Sequence, residues 1–136
     1  MQANCVARKL PNEFGAGGIL LGSLIGANMN VTTDQKITIK GNPAKYIVRG
    51  IVVTNASISL TTAAGGVYNA ASKGGTALVA NTQVYSALTA ATKFVDLTMA
   101  AVADIQTAAN VYLSLTTAQG AAATADVYVY GDIITN

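Results

Sequence analysis

Short apolar runs separated by clusters of Gly, Asn and Thr fill most of the chain, the pattern of an all-β domain. Ser57–Thr61 (SISLT) sets Ile58 and Leu60 on one face, and Val111–Thr116 (VYLSLT) puts Val111, Leu113 and Leu115 together. Asp126–Ile133 (DVYVYGDI) sets Val127, Val129 and Ile133 against Asp126, Tyr128, Tyr130 and Asp132. A period of two places one such set in a core and the other on a surface. Tyr46–Val53 (YIVRGIVV) does not alternate, and both of its faces are apolar except at Arg49. That predicts a central strand covered on both sides, the cover on the Arg49 side being a second sheet or another subunit. Weaker strands are predicted at Gln35–Lys40, Ala77–Ala80, Thr82–Leu88 and Phe94–Thr98.

Turns are marked at Gly41-Asn42-Pro43, Ala64-Gly65-Gly66 and Lys73-Gly74-Gly75. Thr117–Ala125 (TAQGAAATA) reads as a long hairpin loop between two good strands. Thr98–Ala109 alone has near-helical spacing, enough for a turn or two of helix. Eight or so short strands with turns every 8–12 residues predict a β-sandwich of jelly-roll type with little helix. An immunoglobulin-like sandwich is the alternative, without its usual cysteine pair and core tryptophan. One echo links Ile58–Gly65 (ISLTTAAG) to Leu113–Gly120 (LSLTTAQG), as if two strands left the sandwich in equivalent ways.

The first 30 residues differ from the rest. They hold Pro11, five glycines and no clear alternation, yet carry apolar Ile19, Leu20, Leu21, Leu24 and Ile25. Such a segment serves as an extended N-terminal arm in a neighbour's groove, or folds back as the first strands of its own sandwich; the expectation is some of each. Its longest apolar run, Gly15–Ala27, is 13 residues, short of the roughly 20 that a spanning helix needs. Gly18, Gly22 and Gly26 follow the GxxxG spacing, which has meaning only within a spanning segment. Pro11 and Glu13 interrupt the pattern of a signal peptide.

Composition turns the reading away from chemistry. Among 136 residues there are 25 Ala, 16 Thr and 13 Gly, no His, no Trp and one Cys, Cys5. Without histidine there is no Ser-His-Asp or Cys-His arrangement, and Cys5 lacks a partner to activate it. Zinc sites of ordinary type are excluded as well. Asp126 and Asp132 share a strand face but stand about 20 Å apart along it, too far for a glycosidase pair. Ala71–Thr76 (ASKGGT) places lysine before its glycines and is a turn rather than a phosphate loop. Asn30-Val31-Thr32 and Asn55-Ala56-Ser57 match a glycosylation pattern and are read as turn residues. No enzyme activity and no cofactor are expected.

Charged residues make up only 10% of the chain, against about 25% in average proteins, as if partners cover much of the surface. The net charge of +2 is too small to imply direct nucleic-acid binding. Its distribution is uneven. Residues 1–49 carry Arg8, Lys9, Lys36, Lys40, Lys45 and Arg49 against two acids; residues 94–136 carry Asp96, Asp104, Asp126 and Asp132 and no base. This split fits complementary patches meeting between subunits. Tyr112, Tyr128 and Tyr130 lie on the polar sides of their strands, and three uses are open to them: stacking on sugars, packing against another protein, or half-covering the edge of their own sandwich. With Lys36, Lys40, Lys45, Arg49, Ile19, Leu20 and Leu21 they form the candidate interface.

Lys45–Ser59 (KYIVRGIVVTNASIS), the SLTTAAGG and SLTTAQGAAATADVYVYGD segments and the Ala/Thr/Gly bias together resemble small virion proteins of tailed bacteriophages. The closest resemblance is to the capsid cement (decoration) proteins of a short-tailed Bordetella-type phage, over about the last two thirds of the chain. The resemblance implies a non-enzymatic jelly roll that clamps neighbouring major capsid subunits as a dimer or trimer. It implies a place on the outer surface of the virion after synthesis in the bacterial cytoplasm, with no membrane partner. A carbohydrate- or receptor-binding module of a phage tail or fibre is the second expectation.

Overall fold

The alternating runs Val111–Thr116 and Asp126–Ile133 are extended in the computed structural model, which describes residues 18–134. Eight strands form: β1 (Ile19–Asn28), β2 (Gln35–Thr38), β3 (Tyr46–Thr54), β4 (Ala64–Ala70), β5 (Gly74–Val79), β6 (Phe94–Asp96), β7 (Asn110–Thr117) and β8 (Thr124–Ile133). They make two antiparallel four-stranded sheets, β1-β8-β3-β6 in front and β2-β7-β4-β5 behind. Four of the pairings are nested: β4 with β5, β3 with β6, β2 with β7 and β1 with β8. That is one long hairpin rolled on itself, the jelly roll that the spacing of strands and turns predicts.

Inward residues of the two sheets interdigitate. From the front come Leu21, Tyr46, Val48, Ile51, Val53, Val127 and Val129; from the back come Ile37, Val67, Leu78, Val79, Val111, Leu113 and Leu115, each at most 4% exposed. Loop residues Met29, Leu60, Tyr85 and Leu88 close the ends. Tyr46 donates its hydroxyl to the Ala108 carbonyl at 2.6 Å and Tyr85 to that of Gly65 at 3.0 Å, so each buried phenol is satisfied. Burial holds the Tyr46 phenol up at about 12 and raises that of Tyr85 further. At Gly131 the strands approach too closely for any side chain: a Cβ would collide with the Ile47 carbonyl and lie 2.8 Å from Leu21 Cδ1.

Several sequence expectations change. Ser57–Thr61 is loop, not strand: Leu60 plugs the core while Ile58 is 40% exposed, so the two do not share a face. Thr82–Leu88 is also loop, joined to β4 by an isolated bridge between Val84 and Ala64 and by the Tyr85 hydroxyl on the Gly65 carbonyl. Ala64-Gly65-Gly66 lies inside β4 rather than in a turn. Thr98–Ala109 has no helix; its backbone bonds go instead to Leu78 and Tyr46. Thr117–Ala125 is not a hairpin loop, because β7 and β8 belong to different sheets and the segment arches between them.

The two echo segments are not equivalent exits either. They lie side by side, with Ala64 paired to Thr117 and Gly65 to Leu115. Gln119 Oε1 accepts from the Thr62 and Ala63 amides, each at 3.0 Å. Within the first 30 residues, Ile19–Asn28 is β1 of the chain's own sandwich; residues 1–17, including Cys5, Arg8 and Lys9, lie outside the described residues. Among the described residues no helix is long and apolar enough to cross a membrane.

Candidate docking surface

The outer sides of the two sheets present different chemistry. On the back sheet, Lys36, Tyr112 and Tyr68 stand in one cross-strand row, followed by Ala77. The β4–β5 turn then reaches across β7. Ser72 and Lys73 take left-handed backbone angles (φ 59° and 57°), and the Ser72 amide donates to Asp34 Oδ2 at 2.6 Å. Lys73 Nζ donates to the Thr32 carbonyl at 3.0 Å. Asp34 and Thr32 precede β2, and β7 lies between β2 and β4, so this tip straps the outer face. Tyr68 is 7% exposed beside it, and Ser114 is fully buried. The Ser72 amide holds the Asp34 carboxyl below its ordinary range, with Lys73 adding to the effect.

Among the described residues the front sheet has no such strap. Its outer rows are Leu20, Tyr130 and Gly50; Ser23, Tyr128, Val52 and Asp96; and Asp126, Thr54 and Phe94. Ile47 pairs with Asp132 at the near end. Val52, Tyr128, Tyr130, Ile47 and Leu20 are only half-buried, and Phe94 is 64% exposed. A Cβ built on Gly50 meets nothing within 4 Å, which leaves a notch beside Tyr130. A bulge between Val48 and Gly50 turns Arg49 outward, where its Nε pairs with Asp132 Oδ2. The Asp132 side chain is nearly buried while that of Arg49 stays 44% exposed. Asp126 accepts from the Gly26 amide at 2.8 Å and from Asn55 Nδ2 at 3.1 Å, which pins the second bulge of β1. Among the described residues Arg49–Asp132 is the one ion pair, so Asp96 is exposed and unpaired there.

The sequence-selected residues therefore divide. Arg49, Tyr128, Tyr130 and Leu20 gather on the front face, with Ile19 at its corner. Leu21 is 1% exposed and belongs to the core, because the bulge after Leu20 turns it inward. Tyr112 and Lys36 stand on the opposite side of the sandwich. Lys40 and Lys45 are exposed in the β2–β3 loop at the end where β1 begins. The charge split is partly resolved inside the chain, since Arg49 and Asp132 meet in cis. Ile47, Val52, Phe94 and Asp96 were not selected. The signal for the first two was present in the doubly apolar Tyr46–Val53 run: the back sheet covers its Tyr46 side, and its Arg49 side is open.

Among the described residues no three acidic or cysteine side chains come together around a point that would hold a metal ion. The front face offers flat aromatic and aliphatic area with a few charges at its rim, which is the chemistry of protein contact. Compared with models of known families, with curated sequences and with solved structures, the chain matches none.

Proposed function

We propose that the protein is a structural virion component that binds the outside of a phage capsid and clamps neighbouring major capsid subunits. The observation that supports this is the front face: Tyr128, Tyr130, Val52, Ile47 and Phe94 form one broad apolar side of the sandwich that no other described residue covers. Contiguous exposed apolar area of this kind marks interaction sites. A clamp on a lattice needs only modest contacts, because many linked copies raise the effective concentration at each site. Self-association as a dimer or trimer belongs to the same reading.

Two measurements test it. Quantitative mass spectrometry of purified virions gives a copy number near that of the major capsid protein; a handful of copies, or none, overturns the reading. A Tyr128→Ala, Tyr130→Ala variant folds normally and loses capsid attachment; full attachment removes the front face from the clamp. The second reading, a sugar- or receptor-binding module of a tail or fibre, rests on the same exposed tyrosines. It predicts binding on a glycan array, whereas the clamp predicts none.

A further inference from the structure

We propose that the flank of the sandwich between β5 and β6 docks an extended protein segment that carries one large apolar side chain between basic residues. The identity of the partner rests on the capsid reading: a clamp needs footprints on two subunits, the front face is one, and this flank is the other. The two flanks are built differently. Where β1 meets β2, backbone packs on backbone. The Lys40 amide donates to the Leu21 carbonyl at 2.7 Å, and a Cβ on Gly22 would lie 2.7 Å from the Thr38 carbonyl oxygen. Where β6 meets β5, residues 97–100 cross from sheet to sheet. The Leu97 amide donates to the Ile51 carbonyl in front at 2.9 Å, and the Ala100 amide to that of Leu78 behind at 2.8 Å.

Between this crossing and residues 80–84 lies a hollow of about 310 Å³, with Ala80, Gln83 and Val84 on one wall and Thr98, Met99 and Ala100 on the other. Both walls are anchored. The Gly65 amide donates to the Gln83 carbonyl at 2.9 Å, Val84 bridges to Ala64, and Met99 bridges to Val79. The Gln83 side chain ties the walls together: Oε1 accepts from the Thr98 amide and Nε2 donates to the Val84 carbonyl, each at 2.8 Å. The hollow is thus preformed, and a group entering it has no loop to order. Val84 is 56% exposed, and Val102, two residues past Ala100, is 71% exposed, so the rim is apolar as well. A hollow of this size takes one aromatic or large aliphatic side chain, the kind of anchor that dominates protein contacts.

The charges beside the hollow set the sign of the partner. Asp96 comes two residues before Thr98, about 7 Å away along the strand direction. Asp104 comes four residues after Ala100, at most about 14 Å away. Both are exposed, and neither makes an ion pair among the described residues. Lys93 is the one cation between residues 74 and 134, and it stands beyond the far end of β6, about 16 Å from Thr98. The flank is therefore an apolar hollow between two free carboxylates. Its complement is a segment with a base on either side of the inserted side chain.

The test begins on the free, full-length protein with the peptide acetyl-Gly-Arg-Ser-Phe-Ser-Arg-Gly-amide, followed by amide NMR. Saturable shifts centre on Gln83, Thr98, Met99 and Ala100, with a dissociation constant of about 0.1–1 mM that rises with salt. Peptides with Ser for Phe, or with Glu for both Arg, bind at least about tenfold more weakly. Ala100→Trp, which fills the hollow from an exposed position, abolishes binding, and so does Val84→Lys at a second exposed position. Asp96→Asn with Asp104→Asn weakens it at least about threefold and removes most of the salt dependence. The front-face pair Tyr128→Ala, Tyr130→Ala leaves it unchanged. On capsids, Ala100→Trp lowers attachment at least about tenfold although the front face is intact.

Shifts that do not saturate, that centre elsewhere, or that are the same with the Glu peptide overturn the inference. Full capsid attachment of Ala100→Trp removes the flank from the clamp. A protein at high copy number on virions that binds no peptide at this flank loses the docking site and keeps the capsid role. Peptide binding with the expected responses, in a protein missing from particles, does the reverse.

Discussion

The front and back of this sandwich share one core, yet among residues 18–134 a turn is tied across part of one outer face and none lies across the other. On the back, the β4–β5 turn reaches over β7 to Asp34 and Thr32, and Tyr68 and Ser114 on that sheet are buried. On the front, the same kinds of residue, tyrosine and β-branched aliphatics, stand half-exposed with no segment of residues 18–134 across them. The difference teaches that a tyrosine on the polar side of a strand has no fixed role. A three-residue turn decides whether it supports stability or is left for a partner.

Matched substitutions break or sharpen that comparison. The largest expected effect is on the closed side: Tyr68→Ala costs about 3–4 kcal/mol of folding free energy, the range for deleting a buried aromatic ring. Tyr130→Ala costs about 1 kcal/mol or less, since its ring is only partly withdrawn from water. Urea midpoints at constant slope measure both, and equal losses would erase the distinction between the faces. Next comes the strap. Asp34→Ala removes the acceptor of the Ser72 amide and costs about 1–2 kcal/mol. It also uncovers Tyr68, so binding of a hydrophobic dye increases.

The strap has a pH signature. The Asp34 carboxyl lies below its ordinary value of 3.8, so its contribution is fully present above that pH. It is lost as pH falls through the lowered folded value, and the Ser72 amide shift followed by NMR reports the change. A control comes from the shared core. The Tyr46 phenol is raised from 10.0 to about 12, so the unfolded chain releases that proton first. Stability therefore falls as pH rises from 10 toward 12, visible as phenolate absorbance that appears together with unfolding. The smallest effect is on the open face: Val52→Lys changes stability by no more than about 0.5 kcal/mol, because its stem can run along the sheet with the ammonium in water. The same change weakens attachment to the capsid in a co-sedimentation assay.

Much of the fold was legible because burial leaves a period-two trace. β7 and β8 lie where Val111, Leu113, Leu115, Val127 and Val129 alternate, and the two-sided Tyr46–Val53 run is indeed a strand with neighbours on both edges. What misled was local sequence whose conformation depends on distant partners. Ser57–Thr61 alternates as well as any strand, but Gln119 captures the amides of the following residues and Leu60 is needed as a plug. The candidate site was half legible. Alternation assigns Tyr112, Tyr128 and Tyr130 to outward positions. It does not say that β7 and β8 belong to different sheets, and so it merged two opposite faces into one. Asp96 gave no signal at all, since only the pairing of β6 with β3 brings it level with Val52.

The nesting of the strand pairs sets the order in which this surface comes into being. Only β4 and β5 pair as neighbours in sequence, with Ala70 opposite Gly74, whereas Ile19 pairs with Gly131 across nearly the whole described chain. Each outer pair closes a longer loop than the one inside it, and such non-local pairing is slow. β8 is the last strand along the chain and runs through the middle of the front sheet, carrying Tyr128 and Tyr130. A chain still emerging from the ribosome can therefore build the strapped hairpin but not the front face. The surface that carries Tyr128 and Tyr130 is completed only when β8 inserts between β1 and β3.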